Sequence, residues 1–122
     1  MRKNSQRTSF PINKFGAQKA EIDGIQFDSK KEASVYWQLK MTQRAGEIKN
    51  LQRQVRYELI PNQKDEKGKV IERAVYYVSD FEFDDVATGK HVVMDVKGFK
   101  TKDYIIKRKL MLERHGIRIE EV

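Results

Sequence analysis

The chain has 122 residues, of which 39% are hydrophobic and 35% are charged. This length suits one domain around a single hydrophobic core rather than two such domains. The 25 Lys and Arg outnumber the 18 Asp and Glu, and the resulting formal charge of +7 favours a polyanionic partner such as nucleic acid. The absence of cysteine excludes disulfides and zinc–thiolate sites. No apolar run approaches transmembrane length, so we expect a soluble intracellular protein.

The N-terminal part of the chain predicts an arm followed by a hairpin. Residues 1–17 are basic, polar and without pattern, and we interpret them as a flexible arm before one domain at 18–122. The dipeptide Asp23-Gly24 lies between two short alternating runs, which is a strong signal for a β-hairpin.

Apolar periodicity and turn residues predict two helices and four strands in the rest of the chain. Ser29 and Thr101 are suitable N-caps, and Gly46 and Gly116 are suitable stops. The predicted elements are a helix at 29–46, strands at 50–60, 71–85 and 91–98, a helix at 101–116 and a strand at 117–122. This order indicates an α/β fold with a central mixed β-sheet flanked by helices.

Two aspartates lie on neighbouring strands of a predicted hairpin. Asp80 lies late in the strand at 71–85 and Asp95 late in the strand at 91–98, so pairing about the turn at 88–90 brings the carboxylates close together. Directly opposed residues have Cβ atoms about 4.5–5.5 Å apart. Two carboxylates at that distance repel one another unless a cation or a proton lies between them. A hard divalent cation such as Mg²⁺ prefers such oxygen ligands.

A lysine adds a positive charge to this predicted site. Strand alternation places Asp95 and Lys97 on one face, where Lys97 would orient or deprotonate a water or balance charge on a phosphate. The backbone carbonyl of Val96 would offer a further oxygen ligand. The combination is suited to metal-assisted phosphodiester hydrolysis. The alternative is a salt bridge on a solvated sheet face, which would contribute little.

These residues resemble the PD-(D/E)xK nuclease superfamily, whose motif is an aspartate followed, on the next strand, by an acidic residue, any residue and a lysine. An earlier helix contributes a glutamate. Asp80 matches the first position, the DVK segment at 95–97 matches the second half, and Glu32 matches the helical glutamate. The superfamily's proline is replaced by Ser79, and Asp95 stands where many members have glutamate.

The chain is more closely similar to small phage and prophage proteins described as endonuclease-like or Holliday-junction-resolvase-like. The resemblance extends from about residue 14 to the C-terminus. The matching segments are DGIQFDSKKEA at 23–33, QVRYEL at 54–59, SDFEF at 79–83 and DVKGFKTK at 95–102.

The resemblance implies a restriction-endonuclease-like core and a metal-dependent endodeoxyribonuclease that uses Mg²⁺, with Mn²⁺ as a substitute. It also implies a homodimer that acts on DNA, with branched recombination intermediates as candidate substrates, in the cytoplasm of a bacterial host. The alternative is a DNA-binding accessory module with a nuclease-like fold and no turnover. The implied metal ligands are Asp80, Asp95, Glu32 and the Val96 carbonyl; Lys97 would position the attacking water, with Gln54 in support behind them.

Two acidic residues have competing interpretations. Ser29 and Glu32 also form a capping box, in which the glutamate reaches back to the helix N-terminus. Glu82 shares a strand face with Asp80 and is a rival ligand, but we expect it to be solvated.

Four basic residues form the predicted phosphate-contacting surface near the second helix. They are Lys100, Lys102, Lys107 and Arg108. The alternative is an ordinary solvated helix face. In the first helix, Tyr36 and Trp37 are expected in the core rather than in a base-stacking platform.

Overall fold

The computed structural model describes residues 19–122, which form two compact units. The first unit ends at Ile48 and the second is Lys49–Val122. The predicted arm at 1–17 lies outside the described residues. The predicted α/β class, with a mixed β-sheet and two helices, is confirmed.

Two helices and ten strands are present in the described part of the chain. In chain order they are β1 (Ala20–Ile22), β2 (Ile25–Phe27), α1 (Lys30–Arg44), β3 (Ile48–Arg53), β4 (Arg56–Ile60), β5 (Gln63–Lys64), β6 (Val70–Glu72), β7 (Val75–Val78), β8 (Phe81–Asp85), β9 (His91–Asp95), α2 (Lys102–His115) and β10 (Glu120–Glu121).

In the first unit, α1 packs against the β1–β2 hairpin. Asp23 and Gly24 both have positive φ, 54° and 77°, as a tight hairpin turn requires. The helix begins after the predicted N-cap, because the Ser29 hydroxyl oxygen accepts a hydrogen bond from the Glu32 backbone N–H at 3.0 Å. Both sequence signals in this unit therefore act as predicted.

The buried face of α1 includes one of the two aromatic residues predicted for the core. Tyr36 is buried, and its ring centroid lies 5.1 Å from that of Phe27. The prediction that Trp37 also belongs to the core is wrong, because its side chain is 50% exposed. Consecutive residues are about 100° apart around a helix, so Trp37 points away from the face that buries Tyr36.

The second unit is built on a mixed sheet with the strand order β10-β9-β8-β3. β8 and β9 are antiparallel, whereas β10 runs parallel to β9. The second unit also contains two two-stranded antiparallel sheets, in which β4 pairs with β7 and β5 pairs with β6. α2 packs against β4 and β7. The buried core contains Leu59, Tyr77, Val93, Tyr104, Met111 and Ile119.

Each of the two long strands predicted at 50–60 and 71–85 is broken in the structure. The breaks between β3 and β4 and between β7 and β8 face each other. The Ser79 N–H donates to the Val55 carbonyl at 2.9 Å, and the Gln54 N–H donates to the Asp80 carbonyl at 3.3 Å. Hydrophobic alternation continues across both breaks, so periodicity alone does not reveal them.

The C-terminal part of the second unit follows the sequence signals in outline. α2 begins after the predicted N-cap Thr101 and ends at Gly116, which has φ 67°. The terminal strand is shorter than the predicted 117–122 and pairs with β9 over two positions. Within residues 19–122, no helix is long and apolar enough to span a membrane.

Gln54 adopts a left-handed backbone conformation, with φ 55°. We expect Gln54→Gly to raise the free energy of unfolding by about 1 kcal/mol, because glycine avoids the Cβ clash of that conformation. Gln52, which is exposed on the adjoining strand β3 and has no positive φ, is the control. Gln52→Gly should instead lower the free energy of unfolding by about 0.5–1 kcal/mol. Urea denaturation that gave the two variants the same sign would contradict this account.

Candidate active-site cleft

The structure brings the two predicted carboxylates together in the second unit. Met94 lies opposite Phe81 at the end of the β8–β9 ladder, and Asp95 and Asp80 are the next residues of the two chain segments. The Asp80 N–H donates to the Met94 carbonyl at 3.1 Å, and Asp80 Oδ2 accepts a hydrogen bond from the Val96 N–H at 2.7 Å. Asp80 therefore bonds through both its backbone and its side chain to the strand that carries Asp95. The expectation that Asp80 lies inside a long strand is wrong, because it occupies the break before β8.

Asp95 is buried at the end of β9, with 2% of its surface exposed. Its Oδ2 accepts a hydrogen bond from the Tyr77 hydroxyl at 2.5 Å. Its Oδ1 is also buried and meets no donor in hydrogen-bonding geometry among the described residues, although the Lys97 ammonium lies 3.0 Å away. A salt bridge on a solvated sheet face, the alternative for Asp95 and Lys97, is excluded by this burial.

Lys97 is held between a carboxylate and an aromatic ring. Its Nζ lies 3.0 Å from Asp95 Oδ1 and 4.2 Å from the centroid of the Tyr104 ring. Both groups attract an ammonium ion, the ring through its negative face. The lysine is therefore restrained beside the paired carboxylates while part of its side chain stays exposed.

Ionisation of Asp80 is less favourable than that of an aspartate in water. Burial raises the pKa of Asp80, and the neighbouring Asp95 charge raises it further, whereas the Val96 N–H and Lys97 lower it; the result is a pKa of about 6. A carboxyl group destabilised by burial and by a specific like-charged neighbour is typical of functional sites.

These groups line an open cleft of about 300 Å³. Its walls come from the end of β7, the break that carries Asp80, the end of β9 and the first turn of α2. The lining residues include Tyr76, Asp80, Asp95, Lys97, Tyr104 and Lys107.

The four predicted phosphate-contacting residues lie in different surroundings. Lys107 lines the cleft, and Lys102 is exposed at the first position of α2. Lys100 and Arg108 both pair with Glu121, at 2.9 Å and 3.0 Å. The Tyr104 hydroxyl, followed by Lys100, lowers the pKa of Glu121 to about 2. A contact of these basic residues with phosphate remains a prediction.

Glu82 is almost fully buried, with 1% of its surface exposed, so the expectation that it is solvated is wrong. Its Oε1 accepts a hydrogen bond from the Tyr57 hydroxyl at 2.7 Å, and its Oε2 accepts one from the Ser79 hydroxyl at 2.8 Å. His91 Nε2 lies 2.7 Å from the same Oε1. Glu82 therefore belongs to a second polar cluster, with Tyr57, Ser79 and His91, and is not a rival metal ligand.

Sequence analysis gave no role to His91, which bridges two acids of this cluster. Its Nε2 contacts Glu82 and its Nδ1 contacts Asp84, each at 2.7 Å. Asn50 donates to the second oxygen of Asp84 at 2.7 Å. The turn at 88–90 fixes His91 opposite Asp84, so a register derived from that turn would have found the pair.

The other two predicted site residues, Glu32 and Gln54, belong to different units. Glu32 is half-buried in α1, in the first unit, and its part in the site remains a prediction. Gln54 is exposed and meets the site through its backbone, where its N–H donates to the Asp80 carbonyl.

Asp80 and Asp95 fit a magnesium site of the kind that relies on substrate for further ligands. Among residues 19–122, no three His, Cys, Asp or Glu side chains are grouped to hold a metal ion. Mg²⁺ commonly takes one or two carboxylates and fills its other positions with water and substrate phosphate. The buried Asp95 Oδ1, which accepts no hydrogen bond of good geometry within residues 19–122 and lies beside the Lys97 ammonium, is suited to such a ligand role.

The fold and the cleft define an α/β protein with paired carboxylates and a lysine in one exposed site. The chain belongs to the family described as "Protein of unknown function (DUF1064)", whose model matches residues 12–119. A search of curated proteins and a search of solved structures each gave no match.

We expect Asp80→Asn to stabilise the metal-free protein. The folded-state pKa of about 6 exceeds the unfolded value near 3.8, so stability is lost as pH rises between them. Asparagine does not ionise and so avoids that loss. In EDTA, the melting temperature of the Asp80→Asn variant should exceed that of the wild type by a few degrees at pH 8 and by less at pH 5. Asp84→Asn is the matched control of opposite sign, because the Asn50 and His91 hydrogen bonds lower the pKa of Asp84. Equal destabilisation by both substitutions would refute this explanation.

The His91 cluster predicts a pH-dependent stability. Hydrogen bonds with Asp84 and then Glu82 raise the pKa of His91 above its unfolded value near 6.5. Its contribution is therefore fully present below that value and is lost as pH rises through the higher folded-state pKa. The melting temperature should fall over this range in the wild type and fall less in His91→Gln. Equal slopes in the wild type and in His91→Gln would contradict this explanation.

Proposed function

We propose that this protein is a divalent-cation-dependent endonuclease that hydrolyses phosphodiester bonds in DNA. The observation that carries the proposal is that Asp80 and Asp95 line one cleft, in which the Lys97 ammonium lies 3.0 Å from Asp95 Oδ1. Two carboxylates and a lysine at one point are the groups that metal-assisted hydrolysis uses. The resemblance to the PD-(D/E)xK superfamily, which rests on these same residues, supports the proposal.

In this proposal, Asp80 and Asp95 hold Mg²⁺, or Mn²⁺ in its place, with Glu32 and the Val96 carbonyl as further ligands. The bound cation would offset the negative charge of the phosphate and favour ionisation of water. Lys97 orients the attacking water by hydrogen bonding, while Gln54 supports Asp80 through the backbone. Water forms the new P–O bond, and the leaving oxygen takes up a proton as the old P–O bond breaks.

The positive charge of the chain supports DNA as the substrate. The net charge of +7 gives a favourable electrostatic contribution to phosphate binding. Lys97 and Lys107 lie on the cleft itself, beside the first turn of α2, whose dipole also favours anions. Lys100, Lys102 and Arg108 extend this basic surface beyond the cleft.

The proposed biological substrate is branched DNA in phage or prophage recombination. The similarity to resolvase-like phage and prophage proteins supports this choice, together with action in the cytoplasm of a bacterial host. Residues 19–122 form one cleft that holds Asp80, Asp95 and Lys97, so symmetric cutting of two strands would require a homodimer.

A second candidate is a catalytically inactive DNA-binding module with the same fold. It is favoured by the finding that the described residues hold no cluster of three acidic or histidine ligands. Such a module would bind DNA through the basic surface without cutting it.

The decisive experiment compares cleavage of a labelled four-way junction with cleavage of a matched linear duplex, in Mg²⁺, Mn²⁺ or EDTA. We expect metal-dependent cutting by the wild type, with Lys97→Ala slower by about 100-fold or more. Lys109→Ala is the matched control, since it removes the same charge from an exposed position on α2 that is not among the cleft-lining residues. It should cut at nearly the wild-type rate.

Fluorescence anisotropy in EDTA separates binding from chemistry for the same variants. Lys97→Ala should retain DNA binding within a few-fold of the wild type. Binding by all variants with no cutting in either metal would reject the enzyme and favour the accessory module. Equal loss of cutting in Lys97→Ala and Lys109→Ala would show that overall charge, rather than the cleft, controls activity.

A further inference from the structure

Each cleft aspartate has one carboxylate oxygen held by a donor from the protein. Asp80 Oδ2 accepts from the Val96 backbone N–H at 2.7 Å, and Asp95 Oδ2 accepts from the Tyr77 hydroxyl at 2.5 Å. The other oxygen of Asp95, Oδ1, is buried and lies 3.0 Å from the Lys97 ammonium, but among residues 19–122 it accepts no hydrogen bond of good geometry. The two oxygens of Asp95 are therefore in different environments before any ligand arrives.

Tyr77 is fixed by the fold. It lies on β7, opposite Tyr57 of β4, and is 3% exposed within the core beneath α2. Its phenolic O–H is the donor of the hydrogen bond to Asp95 Oδ2. A carboxylate held by a buried, immobile donor has little freedom to rotate about its last bond.

We infer that Tyr77 is a positioning residue of the proposed metal site, which fixes Asp95 so that Oδ1 alone binds the divalent cation. The inference rests on the proposed function, since it assigns a geometry to the same site. Tyr77 does not touch the cation or the substrate in this account. Its contribution is to orient a ligand, and partners of this kind typically change metal affinity about 10–100-fold when they are removed.

The chain contains a matched control for this hydrogen bond. Tyr57 is half-buried and donates to a buried carboxylate, Glu82, at 2.7 Å. Tyr57→Phe and Tyr77→Phe each remove one hydroxyl from a tyrosine–carboxylate pair in the same unit. A loss that reflects general loosening of the unit would affect both variants alike, whereas a positioning effect would be specific to Tyr77.

The test measures Mn²⁺ binding to the full chain without DNA, from the electron paramagnetic resonance signal of free Mn²⁺. We expect the dissociation constant to rise about 10-fold or more in Tyr77→Phe, and to stay within about two-fold of the wild type in Tyr57→Phe. In an Asp95→Asn background, Tyr77→Phe should have little further effect, because the oriented ligand is already lost.

The outcomes distinguish failure of the inference from failure of the proposed function. If the wild type binds Mn²⁺ and Tyr77→Phe binds it equally well, the inference is overturned and the nuclease proposal stands. An equal loss in Tyr57→Phe also overturns it. If the wild type itself shows no Mn²⁺ binding that Asp95→Asn weakens, both are overturned.

A second measurement uses the wild type and does not depend on whether the variant folds. The buried Tyr77 hydroxyl proton should give a slowly exchanging, downfield NMR resonance, as expected for a short hydrogen bond to a carboxylate. We expect this resonance to persist when Mg²⁺ saturates the protein. Its disappearance on saturation would show that Oδ2 is released from Tyr77, which would overturn the inference.

Discussion

The rest of the cleft depends on one constraint, which is that the carboxylates of Asp80 and Asp95 share it. Two carboxylates brought together out of water repel one another, and burial alone opposes their ionisation. Asp80 accepts a hydrogen bond from the Val96 N–H, and Asp95 accepts one from the Tyr77 hydroxyl. The Lys97 ammonium also lies beside Asp95. These contacts only partly offset the cost, since the pKa of Asp80 is still about 6. The remaining electrostatic imbalance is what a divalent cation would relieve.

The carboxylates meet where the two long strands are broken. Asp80 lies in the break before β8, and its N–H donates to the Met94 carbonyl at 3.1 Å. Ser79 holds the break on both sides, because its backbone bonds to Val55 and its hydroxyl bonds to Glu82. Glu82 in turn is held by Tyr57 and contacts His91. The break therefore adjoins this second polar cluster as well as the cleft.

Sequence reasoning succeeded where a feature depends on local chemistry. The caps at Ser29 and Thr101, and the turn at Asp23-Gly24, are set by a few adjacent residues and could be predicted. The meeting of Asp80 with Asp95 followed from one short turn that fixes the register of two strands. The roles of Tyr77 and Glu82 were missed or misassigned because Tyr77 bonds to Asp95 and Glu82 to Tyr57 across strands that no short turn joins, whereas the turn at 88–90 could have revealed the His91–Asp84 pair. A tyrosine in an apolar strand looks like core in sequence, and its hydrogen bond to a distant carboxylate is visible only after folding.

Net charge is a poor guide to where a polyanion would bind, because neighbouring acids change what each basic residue offers. Lys100 and Arg108 lie in the most basic stretch of the sequence, yet both pair with Glu121. Lys97 and Lys107 are the lysines that line the cleft with Asp80 and Asp95. A phosphate at the cleft would meet these two lysines and the carboxylates together, so its binding there would depend on a cation shared with Asp80 and Asp95. The proposed metal would therefore contribute to substrate binding as well as to hydrolysis.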